Sequence, residues 1–435
     1  MHHTFLLFTQ DLRLHDHPAL AAALREAGDT GAVLPVFVLD PALLRRSARN
    51  RVRALLHALA DLRAGLRDRG GDLVVRRGDT AAEVAALARE TGAATVHLTD
   101  GVTHTAARRE ERLRRAGLRV VAHPGLTVVP PGDVTPAGGD HYKVFTPYLR
   151  AWEALPWRAV LPAPEHVPLP AGVDPGDIPE RVDEGRGELA RRPLVAGEEA
   201  ARARLRSWLD GGPAHYADRH DDLPAAATSH LSADLRLGCL SPLEAARGAR
   251  GAPGGEAFVR QLAWRDFHHQ VTAAFPDIAV RDYRHRDTRW REDPAALKAW
   301  KEGRTGVPIV DAGMRQLLRE GFMHNRTRMI TAAFLTRTLG IHWRAGAGHF
   351  ADHLLDGDVA NNSGNWQWVA GTGNDTRPNR AFNPLRQARR FDPDGVYVRR
   401  YVPELADLPG RAAHTPWTAA APPADYPPPI ASPGS

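Results

Sequence analysis

The 435-residue chain predicts an α/β domain with a doubly wound parallel sheet, followed by an all-helical domain. Three observations carry that expectation. Residues 1–130 alternate short apolar runs with amphipathic helical windows, the pattern of a parallel sheet covered on both faces. From Glu198 onward strand-like runs almost vanish and helical windows dominate. The length also exceeds what one hydrophobic core ordinarily serves, so two domains are expected.

The apolar runs are Thr4–Phe8, Val33–Leu39, Asp72–Val75, Thr95–Leu98 and Arg119–Ala122. Between them lie windows such as Val52–Arg67, where Leu55, Leu56, Leu59, Leu62 and Leu66 recur at helical spacing. In such sheets ligands sit beyond the C-terminal strand ends, where Thr9-Gln10-Asp11-Leu12-Arg13, Asp40 and Asp100 fall. No Gly-rich phosphate fingerprint is present, so a dinucleotide site of the usual style has no support. Residues 131–197 turn to Pro, Gly and charge and read as a long interdomain connector, with the more apolar Tyr142–Tyr148 pinned to a domain. The helical domain is placed at 198–420, with windows at Ala200–Leu209, Pro242–Arg250, Glu256–Phe275, Pro294–Glu302, Val310–Arg319 and Arg326–Leu339. Residues 421–435 form a Pro-rich tail, expected to be loosely ordered.

Composition narrows the function classes. Hydrophobic content of 43% and charged content of 25% describe a soluble globular protein. No run is long enough for a transmembrane span, and Phe5-Leu6-Leu7-Phe8 is too short for a signal-peptide core, so a cytoplasmic protein without a membrane partner is expected. The single cysteine, Cys239, excludes an internal disulfide framework and a Cys-based metal cluster. The net charge of +6 is almost all arginine, because Lys143, Lys298 and Lys301 are the only lysines. An arginine excess fits a nucleic-acid partner but also follows from genome base bias, so clustering decides between them.

The densest functional stretch runs from Asp356 to Trp368 and holds two carboxylates, three amides with a further Gln, and two indoles. Indoles supply π surface while amides and carboxylates supply direction, which suits a pocket for a flat, hydrogen-bonding molecule. The plainer alternative is a buried helix end with Trp anchors. Upstream, Tyr216 precedes Thr228-Ser229-His230-Leu231-Ser232, where hydroxyls at a helix start make either a phosphate nest or a simple N-cap. Gln261, Trp264, Arg265 and His268 share one helical face, an unusual set for a core-facing surface. The neighbouring His268 and His269 diverge on a helix, so no metal site is expected there. Arg326 and Arg328, beside Asn325 and Met329, combine anion-binding and flat apolar surface. Between Asn374 and Arg400 arginines clearly outnumber acids, which turns the charge argument toward phosphate contacts.

Taken in order, these motifs resemble the photolyase and cryptochrome family over nearly the whole chain. The resemblance rests on Thr9 to Pro18, Thr228-Ser229-x-Leu231-Ser232, Trp264-Arg265, Gly306 to Asp311, His324-Asn325-Arg326-x-Arg328-Met329, Asp356-Gly357-Asp358 and Asn365-Trp366-Gln367-Trp368. It implies an N-terminal antenna-chromophore domain and a helical domain holding a U-shaped FAD, which is reduced when active. By position, Tyr216, Thr228, Ser229, Leu231, Ser232, Arg265, Asp356, Asp358 and Asn362 match the flavin ligands, with Arg328 pairing with Asp356. Trp366, Trp343 and Trp300 match the tryptophans that carry an electron from the surface to the flavin. Trp264 and Trp368 would flank the damaged bases, Gln261, Asn325 and Met329 would contact them, and Arg326 and Gln387 would lie near DNA.

The activity so implied is light-driven repair of cyclobutane pyrimidine dimers in UV-damaged DNA, by a monomer with no obligate protein partner. A dimer inside a duplex is out of reach and must be flipped out, as the general rule for photolyases has it. Asn325 stands where the (6-4) branch usually has a second histidine, which favours cyclobutane dimers over (6-4) photoproducts. Three residues depart from the family pattern: Gln261 replaces a frequent Glu and offers no anionic carboxylate, Ser363 replaces an Asn, and His230 replaces an Arg. For the antenna, Arg51 and Asp100 fall where deazaflavin binders place contacts, so 8-hydroxy-5-deazaflavin is preferred over methenyltetrahydrofolate. The rival functions are a cryptochrome-like photoreceptor and a plain flavin oxidoreductase.

Overall fold

A computed structural model describes residues 2–191, 194–225, 227–374 and 382–432. Contacts divide the chain into two compact units, Met1–Arg186 with Leu194–Ala214 and Ser229–Asp277, and Gly187–Pro193 with His215–Thr228 and Ile278–Ser435. No helix among the described residues is long and apolar enough to cross a membrane.

The first unit is built on five parallel strands, β1 (His3–Leu7), β2 (Ala32–Leu39), β3 (Val74–Arg77), β4 (Thr95–Thr99) and β5 (Arg119–His123), in the order β3-β2-β1-β4-β5. The central β1 places Phe5 against Leu34 and Val96, and the run from Thr4 to Phe8 is buried throughout, as a strand covered on both faces must be. Four helices, Pro18–Ala27, Arg49–Arg67, Thr80–Thr91 and His104–Arg115, make the crossovers. β3 starts two residues later than its apolar run. Asp72 is occupied by Arg63 at 3.0 Å and Arg67 at 2.9 Å and so belongs to the turn. The outer edge of β3 is covered by the connector, where Val75 N donates to Pro175 O at 2.8 Å.

Within the connector, the Tyr142–Tyr148 segment leads into a helix, Phe145–Ala154, that sequence periodicity did not reveal. Phe145, Tyr148 and Trp152 are buried against the helix Glu256–Ala274, and Trp152 Nε1 donates to Asp266 Oδ2 at 3.0 Å. The helices Glu198–Leu209, Ser232–Leu237, Pro242–Arg250 and Glu256–Ala274 belong to this first unit, so contacts divide the chain differently from the boundary read at residue 198. The Thr9–Pro18 segment explains why. Arg13 is buried and donates to Asp16 O, to Gly125 O at 3.0 Å and to Gly238 O at 3.1 Å, while Glu198 accepts from Leu14 N and His15 N. Asp16 in turn holds Arg158, Ser241 and the Leu161 amide.

Asp266 is fully enclosed. Burial pushes its carboxyl up, and Arg265 with the Val129, Trp152 and Val128 hydrogen bonds restrains the rise, leaving it at about 6. Because the folded carboxyl binds its proton more tightly than the unfolded one, stability falls as pH rises from about 4 to about 6. Asp266→Asn is therefore expected to flatten the stability–pH curve in that window, by up to about 3 kcal/mol, as read from urea melts at several pH values. A wild-type curve already flat there would contradict this.

The second unit is helical: Pro294–Glu302, Pro308–Glu320, Asn325–Ala333 continuing as a π-helical turn at Phe334–Thr338, Trp343–His353, Val359–Ala370, Pro384–Phe391 and Val396–Tyr401. Trp300, Trp343, Phe334, Phe350 and Tyr397 fill its core. The C-terminal segment is not loose over its described part. Tyr426 is 7% exposed and its hydroxyl donates to Asp311 Oδ2 at 2.6 Å, and Ile430 N donates to Thr305 O at 2.9 Å. Proline-rich composition identifies a non-helical segment but does not register such a buried anchor.

Candidate functional site

The polar, aromatic stretch from Asp356 to Trp368 is mostly one helix, Val359–Ala370, capped by Asp358, whose Oδ1 accepts from Asn361 N at 2.8 Å. Asn and Gly are poor helix interiors, but packing on both sides overrides that weak preference. Its faces divide the labour. Gln367 points into the core at 0% exposure, and Trp366, 2% exposed, packs there beneath the cleft that it helps to line. Asp358, Asn361, Asn362 and Asn365 line a cleft together with Asn325, Arg328, Met329, Phe350 and Asp356.

Charge and shape in this cleft are tightly arranged. Arg328 Nη2 donates to Asp356 Oδ2 at 2.8 Å and its Nε to Met323 O at 2.8 Å. The Asn362 amide is oriented by donating to Ala347 O at 3.0 Å, which leaves its carbonyl oxygen available as an acceptor. Gly346, in the helix Trp343–His353, is the seat of Trp366: a Cβ there would come within 2.1 Å of the indole. Nothing in the sequence marked Gly346, since a helical glycine reads only as a weak helix former.

Tyr216 is buried and stacks on His220, and burial with the Asp221 charge pushes its hydroxyl up to about 12. Thr228 Oγ1 and Gln387 Oε1 are buried without a protein hydrogen-bond partner. Such atoms cost about 1–3 kcal/mol unless a ligand or water meets them. Arg326 is held bidentately by Asp221, with Nε to Oδ1 at 3.1 Å, and lies over Phe391 at 4.4 Å, so its charge is already partly matched. Asn325 is exposed, Met329 is half-buried, and Trp368 is half-buried with its ring 6.3 Å from Phe382. Arg386, Arg389, Arg390 and Arg400 are exposed on the surface, whereas Arg399 is spent on Leu408 O and Gly410 O. Arg377 and Arg380 lie outside the described residues.

The tryptophans differ sharply in exposure. Trp300 touches Trp366 edge-on at 6.0 Å and is 0% exposed, with Nε1 donating to Thr331 O, so it is not a surface terminus. Trp343 is equally buried. Beside it, His342 stacks obliquely on Trp290 at 4.9 Å, and Trp290 is half-buried. Sequence reasoning passed over Trp290 because it sits in an arginine-rich run rather than a helical pattern.

The first unit carries the remaining predicted residues. Along the helix Glu256–Ala274, Gln261 is exposed, Trp264 and Arg265 are half-buried and His268 is buried, so the shared face runs from solvent into the core. Trp264 stacks on Phe145 at 3.7 Å with planes 8° apart. Arg265 Nη1 donates to Leu126 O and lies 3.7 Å from Asp266 Oδ1. Ser229 Oγ accepts weakly from Leu231 N at 3.5 Å, His230 has a positive φ of 52°, Leu231 is buried and Ser232 begins the short helix Ser232–Leu237. Arg51 lies in the first turn of Arg49–Arg67 and Asp100 follows β4.

Residues 4–170 match the model for DNA photolyase, and residues 258–433 match the model for the FAD binding domain of DNA photolyase. The chain is 54% identical to a deoxyribodipyrimidine photo-lyase of Streptomyces griseus, over 95% of this chain and 92% of that relative. It is 37% identical to a cryptochrome DASH of Gloeobacter violaceus, over 94% and 87% of the two chains. Among solved structures, a bacterial class III photolyase from Agrobacterium tumefaciens superposes with a TM-score of 0.89 at 33% identity, covering 99% of this chain and 95% of that one.

Proposed function

The chain belongs to the DNA photolyase family, and from that premise we propose that it uses light to split cyclobutane pyrimidine dimers in UV-damaged DNA. The observation that carries the reading is the cleft where the Arg328–Asp356 pair, the oriented Asn362 amide and the buried Trp366 converge. This donor and acceptor set, backed by apolar Phe350, Leu354 and Val369, fits the polar edge and flat face of a flavin.

Tyr216, Thr228, Arg328, Asp356, Asp358 and Asn362 are assigned to hold FAD, and the same role is proposed for Ser229, Leu231, Ser232 and Arg265. Bound and reduced, FAD supplies the excited electron that the chemistry requires. The chain's own residues orient the cofactor, keep water from its face and present stacking surface. Trp264, Gln261, Asn325, Met329 and Trp368 are proposed to meet the flipped bases. Arg326, Gln387 and the exposed arginines are proposed for the DNA backbone. For Arg326 this means leaving Asp221 for a phosphate, or dividing its guanidinium between the two. Trp343 and Trp366 carry electrons to the flavin, with the half-buried Trp290 rather than Trp300 as the solvent end. Arg51 and Asp100, at the C-terminal side of the sheet, are kept as antenna contacts, with deazaflavin preferred over folate. The protein is proposed to act as a cytoplasmic monomer. The kinship to a cryptochrome DASH favours a photoreceptor as the second reading.

Reduced protein mixed with UV-irradiated oligothymidylate under blue light should restore monomeric thymine. No restoration despite bound reduced FAD would reject the repair function and favour the photoreceptor. Trp264→Ala should weaken binding of dimer-containing DNA by about 1–3 kcal/mol while sparing undamaged DNA; equal losses on both would remove Trp264 from base stacking. In Trp366→Phe, photoreduction of oxidised flavin should slow at least about tenfold while repair by chemically reduced protein persists. An unchanged photoreduction rate would take Trp366 out of the electron path.

A further inference from the structure

Gln367 lies in the last turn of the flavin-lining helix but faces away from the cleft, fully buried. Its side chain holds a neighbouring loop at three points. Nε2 donates to Ile278 O at 2.7 Å and Arg281 O at 2.9 Å, and Oε1 accepts from Tyr283 N at 2.8 Å. The residue so clamped between Arg281 and Tyr283 is Asp282. Its Oδ1 accepts from Trp343 Nε1 at 2.7 Å. That is a short, charge-assisted bond on an otherwise wholly enclosed indole.

Trp343 is also the first residue of the helix Trp343–His353, where unpaired backbone amides present partial positive charge. By itself that field opposes loss of an electron from the indole. A carboxylate on the indole nitrogen opposes the field and stabilises the positive charge that oxidation creates.

We infer that Asp282, held in place by Gln367, is a positioning residue that makes Trp343 oxidisable by accepting the proton of its indole. The inference rests on the reading of Trp343 as an electron carrier. When Trp343 gives one electron toward Trp366, the terminal oxidant is the photoexcited isoalloxazine of bound, oxidised FAD. The Nε1–H bond breaks and the Oδ1–H bond forms. The products on the protein are a neutral indolyl radical and a neutral carboxylic acid, so the local charge changes only by the departed electron. Return of an electron reverses the proton transfer. The groups facing Asp282 are Trp343 and His342 at the helix start and Arg344, whose Nη1 donates to Val280 O at 3.1 Å. His342 titrates less readily than usual, because burial and the Arg344 charge lower it against the pull of Asp282.

The test uses the flavin-loaded protein. In the dark, the indole ¹⁵N–¹H resonance of Trp343, assigned by its loss in Trp343→Phe, should shift as acid protonates Asp282 and stay fixed in Asp282→Asn. After a laser flash, Asp282→Asn should lower the yield of oxidised Trp343 about tenfold, consistent with a lost charge-assisted bond. The yield should also lose the acid-dependent step seen in the wild type, while any His342 step remains in both. A wild-type yield and pH profile in Asp282→Asn, with photoreduction abolished in Trp343→Phe, overturns the inference and leaves the electron path standing. Unchanged photoreduction in Trp343→Phe overturns the path and the inference with it. Should Asp282→Asn fail to fold, the wild-type resonance decides: no acid-dependent shift at Trp343 overturns the proposal. A simple role of Asp282 as a favourable charge at a helix start would lower thermal stability in Asp282→Asn without moving the radical yield.

Discussion

Gly346→Ala is expected to lower the melting temperature and release much of the flavin, although alanine is ordinarily the better helix former. The added Cβ would stand 2.1 Å from Trp366 Cη2 and 2.6 Å from Leu335 Cδ2. Neither neighbour is the free end of a flexible chain, since Trp366 is 2% exposed and Leu335 0%. The helix Trp343–His353 must therefore move off Val359–Ala370, and overpacking of this kind costs about 1–3 kcal/mol. The same movement displaces Asn362, whose amide is tied to Ala347 O in the neighbouring turn. Thermal melts and the flavin-to-protein absorbance ratio check both effects. An unchanged melt with full flavin content would mean that the two helices separate without cost, and that Gly346 is not the seat of Trp366.

Arg328→Met is expected to be the more damaging change. The Asp356 side chain is 7% exposed and that of Arg328 24%, so removal of the guanidinium takes a charge partner from a nearly enclosed carboxylate. Breaking a buried pair from one side costs about 3–5 kcal/mol, reduced here to about 2–4 because Arg328 keeps some solvent. The double variant Arg328→Met with Asp356→Asn removes the enclosed negative charge as well and should regain part of the stability. It should not regain flavin binding, because both charged partners in the cleft are gone. Equal flavin affinity in the double variant and the wild type would show that the pair serves only the fold.

The α/β half was legible because each strand of a doubly covered parallel sheet must be a continuous apolar run, and the runs near Thr4, Val33, Thr95 and Arg119 survived within a residue or two. Asp72 was misplaced since its role depends on Arg63 and Arg67 folding back onto it from the preceding helix. In the cleft, Asp356, Asp358 and Asn362 were legible because several polar and aromatic residues crowd a short stretch. Gly346, Gln367 and Asp282 were not. A glycine that seats an indole looks like any glycine, and a buried glutamine that clamps a loop has no spacing rule. The electron-carrying tryptophans were matched by position alone, and residue type carries no information on depth: Trp300 is 0% exposed.

What the sequence determined by itself was the class of each half, the chemistry of the Asp356–Trp368 stretch and the family, since these follow from local periodicity and from ordered residue types. What the tertiary structure alone decided was which side of that stretch each residue serves. In the helix Val359–Ala370, Asn362 reaches the cleft, Trp366 fills the core and Gln367 holds the Asp282 loop, although all lie within six residues. A helix turns about 100° per residue, so neighbours in sequence become neighbours of different surfaces. Only the elements packed around it determine which surface is solvent, cofactor or core.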